Sequence, residues 1–134
     1  MTDMADATTA TDIDSSEALA LCAARAASDL KATDVLVLDV GTLLSITGYF
    51  VIASASNPRQ VRAVVDDVEA KVKAQLGRVP VRTEGVREQQ WTLIDYGDVV
   101  VHVFLDSVRE FYEIERLYMD APRVAWEVTA SELD

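Results

Sequence analysis

His102 is the chain's only histidine and Cys22 its only cysteine. The two cannot supply the usual four-ligand set of a zinc site. A Ser–His–Asp site would need an exposed serine beside the imidazole, and no Gly-x-Ser-x-Gly turn occurs in the chain. His102 instead sits between Val101 and Val103 in a strand-like run, so it reads as a structural or interface histidine. Asp66-Asp67 could hold magnesium in principle, but they fall within a helical pattern and read as solvated helix surface. Neither Gly-rich phosphate motif is present. Ser54 to Pro58 precede a helix N-terminus, which can attract anions, but ordinary helix initiation accounts for them.

The more informative constellation is Trp91 to Phe104, WTLIDYGDVVVHVF. Two apolar runs meet at Gly97-Asp98, a two-residue hairpin signal. That turn sets a register in which Trp91 faces Phe104, Leu93 faces His102, Ile94 faces Val101 and Asp95 faces Val100. Alternation then divides the side chains between two faces. One face carries Thr92, Ile94, Tyr96, Val99, Val101 and Val103 and suits a helix-covered core. The other carries Trp91, Leu93, Asp95, Val100, His102 and Phe104. Mixing aromatics with a carboxylate and an imidazole fits a binding patch. It fits equally a second covered face with Asp95 at its rim, and the pattern leaves both open.

The elements that must position this hairpin follow from periodicity. Residues 1–13 lack periodicity and read as a disordered acidic tail. Asp14 and Glu17 have capping-box spacing, and Leu19, Cys22, Ala23, Ala26 and Leu30 form one helical face. Cys22 lies in that stripe and reads as a buried small hydrophobe. Val35 to Val40 and Tyr49 to Ala53 read as strands. Asn57-Pro58 opens a helix with a valine stripe, and Gly77 ends it. Val79 to Thr83 suggests a short strand. Ser107 and Glu110 have capping-box spacing for a helix to about Met119, and Pro122 limits its continuation. The order α-β-β-α-(β)-β-β-α predicts an α+β (mixed α/β) layer protein.

Bulk properties set the class. The chain has 134 residues, enough for one domain, and half of it is apolar, so a sizeable core can form. A single cysteine makes no internal disulfide. There is no apolar run of about 18 residues, so no spanning helix is expected, and no leader pattern opens the chain; the expected location is cytoplasmic. The net charge of −11 argues against nucleic acid as the main partner and permits a basic protein partner.

Several segments carry a resemblance to a known family: Asp34 to Val40, YFVI at Tyr49 to Ile52, NPRQVRA at Asn57 to Ala63, Glu84-Gly85, the hairpin itself, and REFYEIERL from Arg109 to Leu117. Together they span roughly residues 15–120, and the chain resembles the bacterial ribosomal silencing factors, the Iojap-like family. It departs at Gly48, where the family often has Asp, and at Tyr118, where it usually has Trp. The resemblance implies a nucleotidyltransferase-like fold, a mixed sheet of about five strands flanked by helices, over residues 14–120, with 121–134 as an extension. It implies no catalysis and no cofactor. It implies binding to the large ribosomal subunit through ribosomal protein L14, a block on small-subunit joining, repression of translation when nutrients are short, and a homodimer when free. An assembly role without silencing is the alternative.

On this basis Trp91, Leu93, Asp95, Tyr96, Asp98, Val100 and His102 are the expected protein-binding residues. Trp91 would be the anchor, and Asp95 and Asp98 the partners of basic groups. A nucleotidyltransferase-like enzyme is the rival. Such a site wants two carboxylates at alternate strand positions, whereas Asp95 and Asp98 are separated by a turn and Tyr49 to Ala53 contains none.

Overall fold

In a computed structural model, residues 15–127 are described except Thr42 and Ser45, together with the backbone of the helix preceding them. The elements are α1 (Asp3–Asp29), β1 (Thr33–Asp39), β2 (Tyr49–Ala55), α2 (Pro58–Leu76), β3 (Arg82–Glu84), β4 (Trp91–Asp95), β5 (Val99–Leu105), α3 (Asp106–Tyr112) and α4 (Ile114–Leu117). α1 thus begins ahead of the Asp14 start that the capping spacing suggests. The side chains of residues 1–14, where the tail was expected, lie outside those described.

The five strands form one mixed sheet in the order β1-β2-β5-β4-β3. β2 and β5 run parallel at its centre, and the other pairs are antiparallel. The β4–β5 register is the one expected, from Trp91 opposite Phe104 to Asp95 opposite Val100. The turn closes with the Tyr96 N–H donating to the Val99 carbonyl at 2.9 Å. Gly97 takes a φ of +93° there, a conformation glycine adopts without a Cβ penalty.

α1 and α2 lie on one face. α2 starts as its sequence requires: Asn57 accepts from the Gln60 N–H at 2.8 Å, Pro58 occupies the first turn, and Gly77 closes the helix in the left-handed region. Its valines 61, 64, 65, 68 and 72 are all buried. β-branched residues gain little from helix propensity, so burial is what holds this helix. Against it packs α1 through Leu19 and a set of alanines that lets the helix approach closely. Ala20, Ala24 and Ala27 are buried as well, so the stripe is wider than expected. Cys22 is only partly buried, at the stripe's margin, and its thiol donates to Gln75 Oε1 at 3.4 Å.

The far face is covered only in part. Leu38, Val40, Phe50, Ile52 and Phe104 pack there against Ile114 and Ala121. The helix over it departs from expectation. It begins at Asp106 with Leu105 as an uncapped N-cap, so the Ser107–Glu110 spacing forms no capping box. Glu113 breaks it with a φ of +46°, and a second short turn follows. Arg109 explains the break's position. It is buried, donates to the Asp34 carbonyl at 2.6 Å and Ser54 Oγ at 2.7 Å, and pairs with Glu115 at 3.5 Å. Holding Glu115 against the buried guanidinium turns the chain out of one continuous helix.

Residues 121–127 run along the free edge of β1. Pro122 accepts from the Asp39 N–H, the Val124 N–H donates to Val37, and the Trp126 indole donates to the Val35 carbonyl at 3.0 Å. This segment supplies partners for backbone groups that an open sheet edge would present.

Candidate docking site

The uncovered part of the far face is a cleft of about 330 Å³ beside the hairpin turn. β5 contributes Val100 and His102, β4 contributes Leu93 and Asp95, β2 contributes Phe50, and Ile46 and Thr47 come from the β1–β2 connection. Parallel pairing makes this possible, since Phe50 lies opposite Val100 and Ile52 opposite His102. Ile46 stands 84 % exposed at the cleft's lip.

His102 is the polar centre of this surface. Its ring is edge-on to Phe50 at 4.8 Å and stacked over Phe104 at 6.1 Å. The Trp91 indole N–H donates to His102 Nδ1 at 3.1 Å. An accepting Nδ1 carries no proton, so the neutral ring carries it on Nε2. Burial pushes the imidazole pKa down to about 4, which keeps the ring neutral near pH 7. Nε2 itself is buried without a hydrogen-bond partner, and so is Thr47 Oγ1.

Of the seven expected binding residues, the structure brings four into the cleft: Leu93, Asp95, Val100 and His102. Trp91 lies beside it, half-buried, stacked on Phe104 at 4.7 Å and near Tyr112 at 5.1 Å, with its N–H committed to His102. Asp95 is at the rim, bonded to Arg82 at 3.2 Å and to the Gly97 N–H at 2.7 Å.

Tyr96 is a correction. It is 2 % exposed and belongs to the core beneath α1 and α2, with burial raising its phenol pKa. Its own register position, on the aliphatic face, already implied this. Asp98 lies outside the cleft, and its charge has an internal partner. Arg78 grips both of its oxygens, at 2.7 and 2.9 Å, and Ser16 donates to it. Burial works to raise its pKa, but Arg78 and Ser16 hold it below the usual carboxylate value.

The sequence reading missed Ile46, Thr47, Phe50 and Arg82 as cleft residues. Arg82 follows from β3, which pairs Arg82 opposite Asp95. Beyond the cleft, Phe111, Leu117 and Met119 also expose apolar side chains. Among the described residues no group of three or more His, Cys, Asp or Glu could hold a metal ion, and no helix is long and apolar enough to cross a membrane.

Comparison with known proteins agrees with this architecture. Residues 13–134 match the family described as "Ribosomal silencing factor during starvation". The chain is 40 % identical over 96 residues to ribosomal silencing factor RsfS of Chromobacterium violaceum, covering 72 % of this chain and 78 % of that one. It is 39 % identical over 101 residues to the Bacillus subtilis factor of the same name, covering 75 % and 84 %. A mouse protein named "Mitochondrial assembly of ribosomal large subunit protein 1" is 34 % identical over 90 residues, covering 66 % of this chain and 40 % of its own length. A crystal structure of a Chromobacterium violaceum protein superposes with a TM-score of 0.74 at 34 % identity, covering 88 % of this chain and 98 % of that one. With the five-stranded mixed sheet, the matched hairpin and a family match over nearly the whole length, the chain belongs to the ribosomal silencing factor family.

Proposed function

We propose that this protein binds the large ribosomal subunit through ribosomal protein L14, occupies the surface the small subunit would use, and so represses translation when nutrients are short. The observation that carries this reading is the open, mostly apolar cleft of Leu93, Val100, Phe50 and His102 on a family member with a net charge of −11. Such a charge steers a protein toward basic partners, and an apolar cleft beside it gives the contact its specificity.

Occlusion requires no bond chemistry, and we read the chain as a binding protein rather than an enzyme, with no cofactor. Asp95 and Asp98 are each held by a different arginine, an arrangement unlike two carboxylates sharing a metal. The proposed setting is the cytoplasm, with few direct RNA contacts and a homodimer when the protein is free.

The test is subunit joining. Purified small and large subunits are mixed with increasing protein and separated on a gradient. The joined fraction should fall in proportion to large subunits occupied. The name of the mouse relative favours a second reading, large-subunit assembly through the same surface. Stable binding with an undiminished joined fraction would select it.

A further inference from the structure

Two polar atoms on residues lining the cleft stand out because the fold leaves them without partners. Thr47 Oγ1 and His102 Nε2 are both inaccessible to solvent and neither is hydrogen-bonded. Buried polar groups are nearly always paired, because leaving one unpaired costs about 1–3 kcal/mol. The two residues come from different parts of the chain, a loop before β2 and the middle of β5. Their convergence on one cleft therefore needs an explanation that the fold's own bonding does not supply.

Their chemistry is specific. Since Trp91 donates to Nδ1, the His102 ring offers its Nε2–H as a donor only. Thr47 offers a hydroxyl that both donates and accepts. Phe50, Leu93 and Val100 form the apolar walls around them. An occupant must therefore present an acceptor oxygen to a neutral donor within a largely apolar enclosure. A carboxylate would be desolvated there without a cation of its own, on a chain of net charge −11 with Asp95 at the rim. Arg82 does not change this, since it is already paired with Asp95.

We infer that the cleft is a receptor for a protruding segment of the basic protein partner, whose seating displaces the cleft side chains enough to bring a neutral acceptor oxygen, an amide, a hydroxyl or a peptide carbonyl, onto the buried polar atoms of His102 and Thr47. This rests on the proposed docking reading and deepens it. It assigns Thr47 and His102 to recognition and Trp91 to positioning, since the indole fixes which imidazole nitrogen carries the proton.

The decisive variant is Thr47→Val, which removes one hydroxyl at nearly constant shape. An unpartnered buried hydroxyl contributes nothing to the free fold, so the melting temperature should hold or rise. Affinity for purified large subunits should nevertheless fall about fivefold, the worth of one lost hydrogen bond. Thr47→Ser should restore it to within about twofold. His102→Phe, which keeps a ring against Phe50 and Phe104, should lose affinity while remaining folded by circular dichroism. Thr47→Val at wild-type affinity overturns the inference whatever the histidine variant does. Leu93→Glu separates the two levels. If it abolishes binding while Thr47→Val keeps wild-type affinity, the surface is right and the polar recognition wrong. If Leu93→Glu binds like wild type, the docking surface itself is misplaced and both readings fall.

Discussion

The Trp91 indole N–H and His102 Nδ1 meet at 3.1 Å across the β4–β5 pair, and this one bond decides which imidazole nitrogen is a donor. It also explains how an imidazole can be tolerated on a nearly closed aromatic surface. Nδ1 is satisfied as an acceptor, and burial disfavours the second proton that would charge the ring.

His102 should titrate near pH 4 in the folded protein, against 6.5 in the unfolded chain. As the only histidine, it gives an unambiguous ring-proton resonance in NMR. The sign follows from linkage. Below 6.5 the unfolded chain takes up a proton that the folded one refuses. The contribution is present in full above 6.5 and is lost progressively as pH falls toward 4. It is worth about 3 kcal/mol at most. A ring pKa near 6.5 in the folded protein would falsify this description of the site.

Tyr96→Phe should leave docking unchanged. The phenol oxygen is buried without a hydrogen-bond partner, so its removal should lower neither the melting temperature nor the affinity for large subunits. Val100→Lys, on the open face, should cost at least tenfold in affinity with a normal melting curve, because it places a charge among apolar walls. Equal losses from both variants would mean that the sheet faces are misassigned.

Asp98→Lys should act on the fold before it acts on a partner. It replaces the Arg78 ion pair with a repulsion at the hairpin turn. The pair is partly solvated, so a stability loss of about 1 kcal/mol is expected, readable as a lower urea midpoint. The charge swap Arg78→Asp with Asp98→Arg should recover part of it. The depressed Asp98 pKa adds that this support is lost in acid, as the carboxyl protonates below its usual range.

Arg109→Ala should be the most damaging single substitution outside the apolar core. It would leave Ser54 Oγ and the Asp34 carbonyl without this donor and release Glu115, at a cost of about 3 kcal/mol or more. Arg109→Lys should not rescue it, because one ammonium cannot match the spread of guanidinium donors. Thermal melting of the two variants decides between them.

Much of this was legible in the sequence because it is local. Asn57, Pro58 and Gly77 mark the ends of α2, and Gly97-Asp98 sets the register of β4 and β5, each by chemistry within a few residues. The parallel pairing of β2 with β5 is not local, and it alone brings Phe50 beside Val100. That is why Phe50 and Thr47 escaped notice. The Arg78–Asp98 pair is likewise non-local: Arg78 lies outside the hairpin, and a carboxylate at a turn looks free when only its neighbours are read. The missing helix cap at Ser107 has the same origin: the Arg109 contacts to β1 and β2 override the local spacing.

The central β2–β5 pair has a kinetic consequence. β5 cannot pair with β2 until α2 and the following two strands have been made and folded back, because Tyr49 must wait for Val99. A sheet closed by so distant a contact condenses late, and topologies of this kind fold more slowly than helical ones of similar size. During synthesis, β2 is left with only its β1 neighbour until the hairpin emerges. The cleft, built from both sides of that pairing, is then among the last features of the molecule to exist, so a nascent chain carries no recognition surface until its sheet is complete.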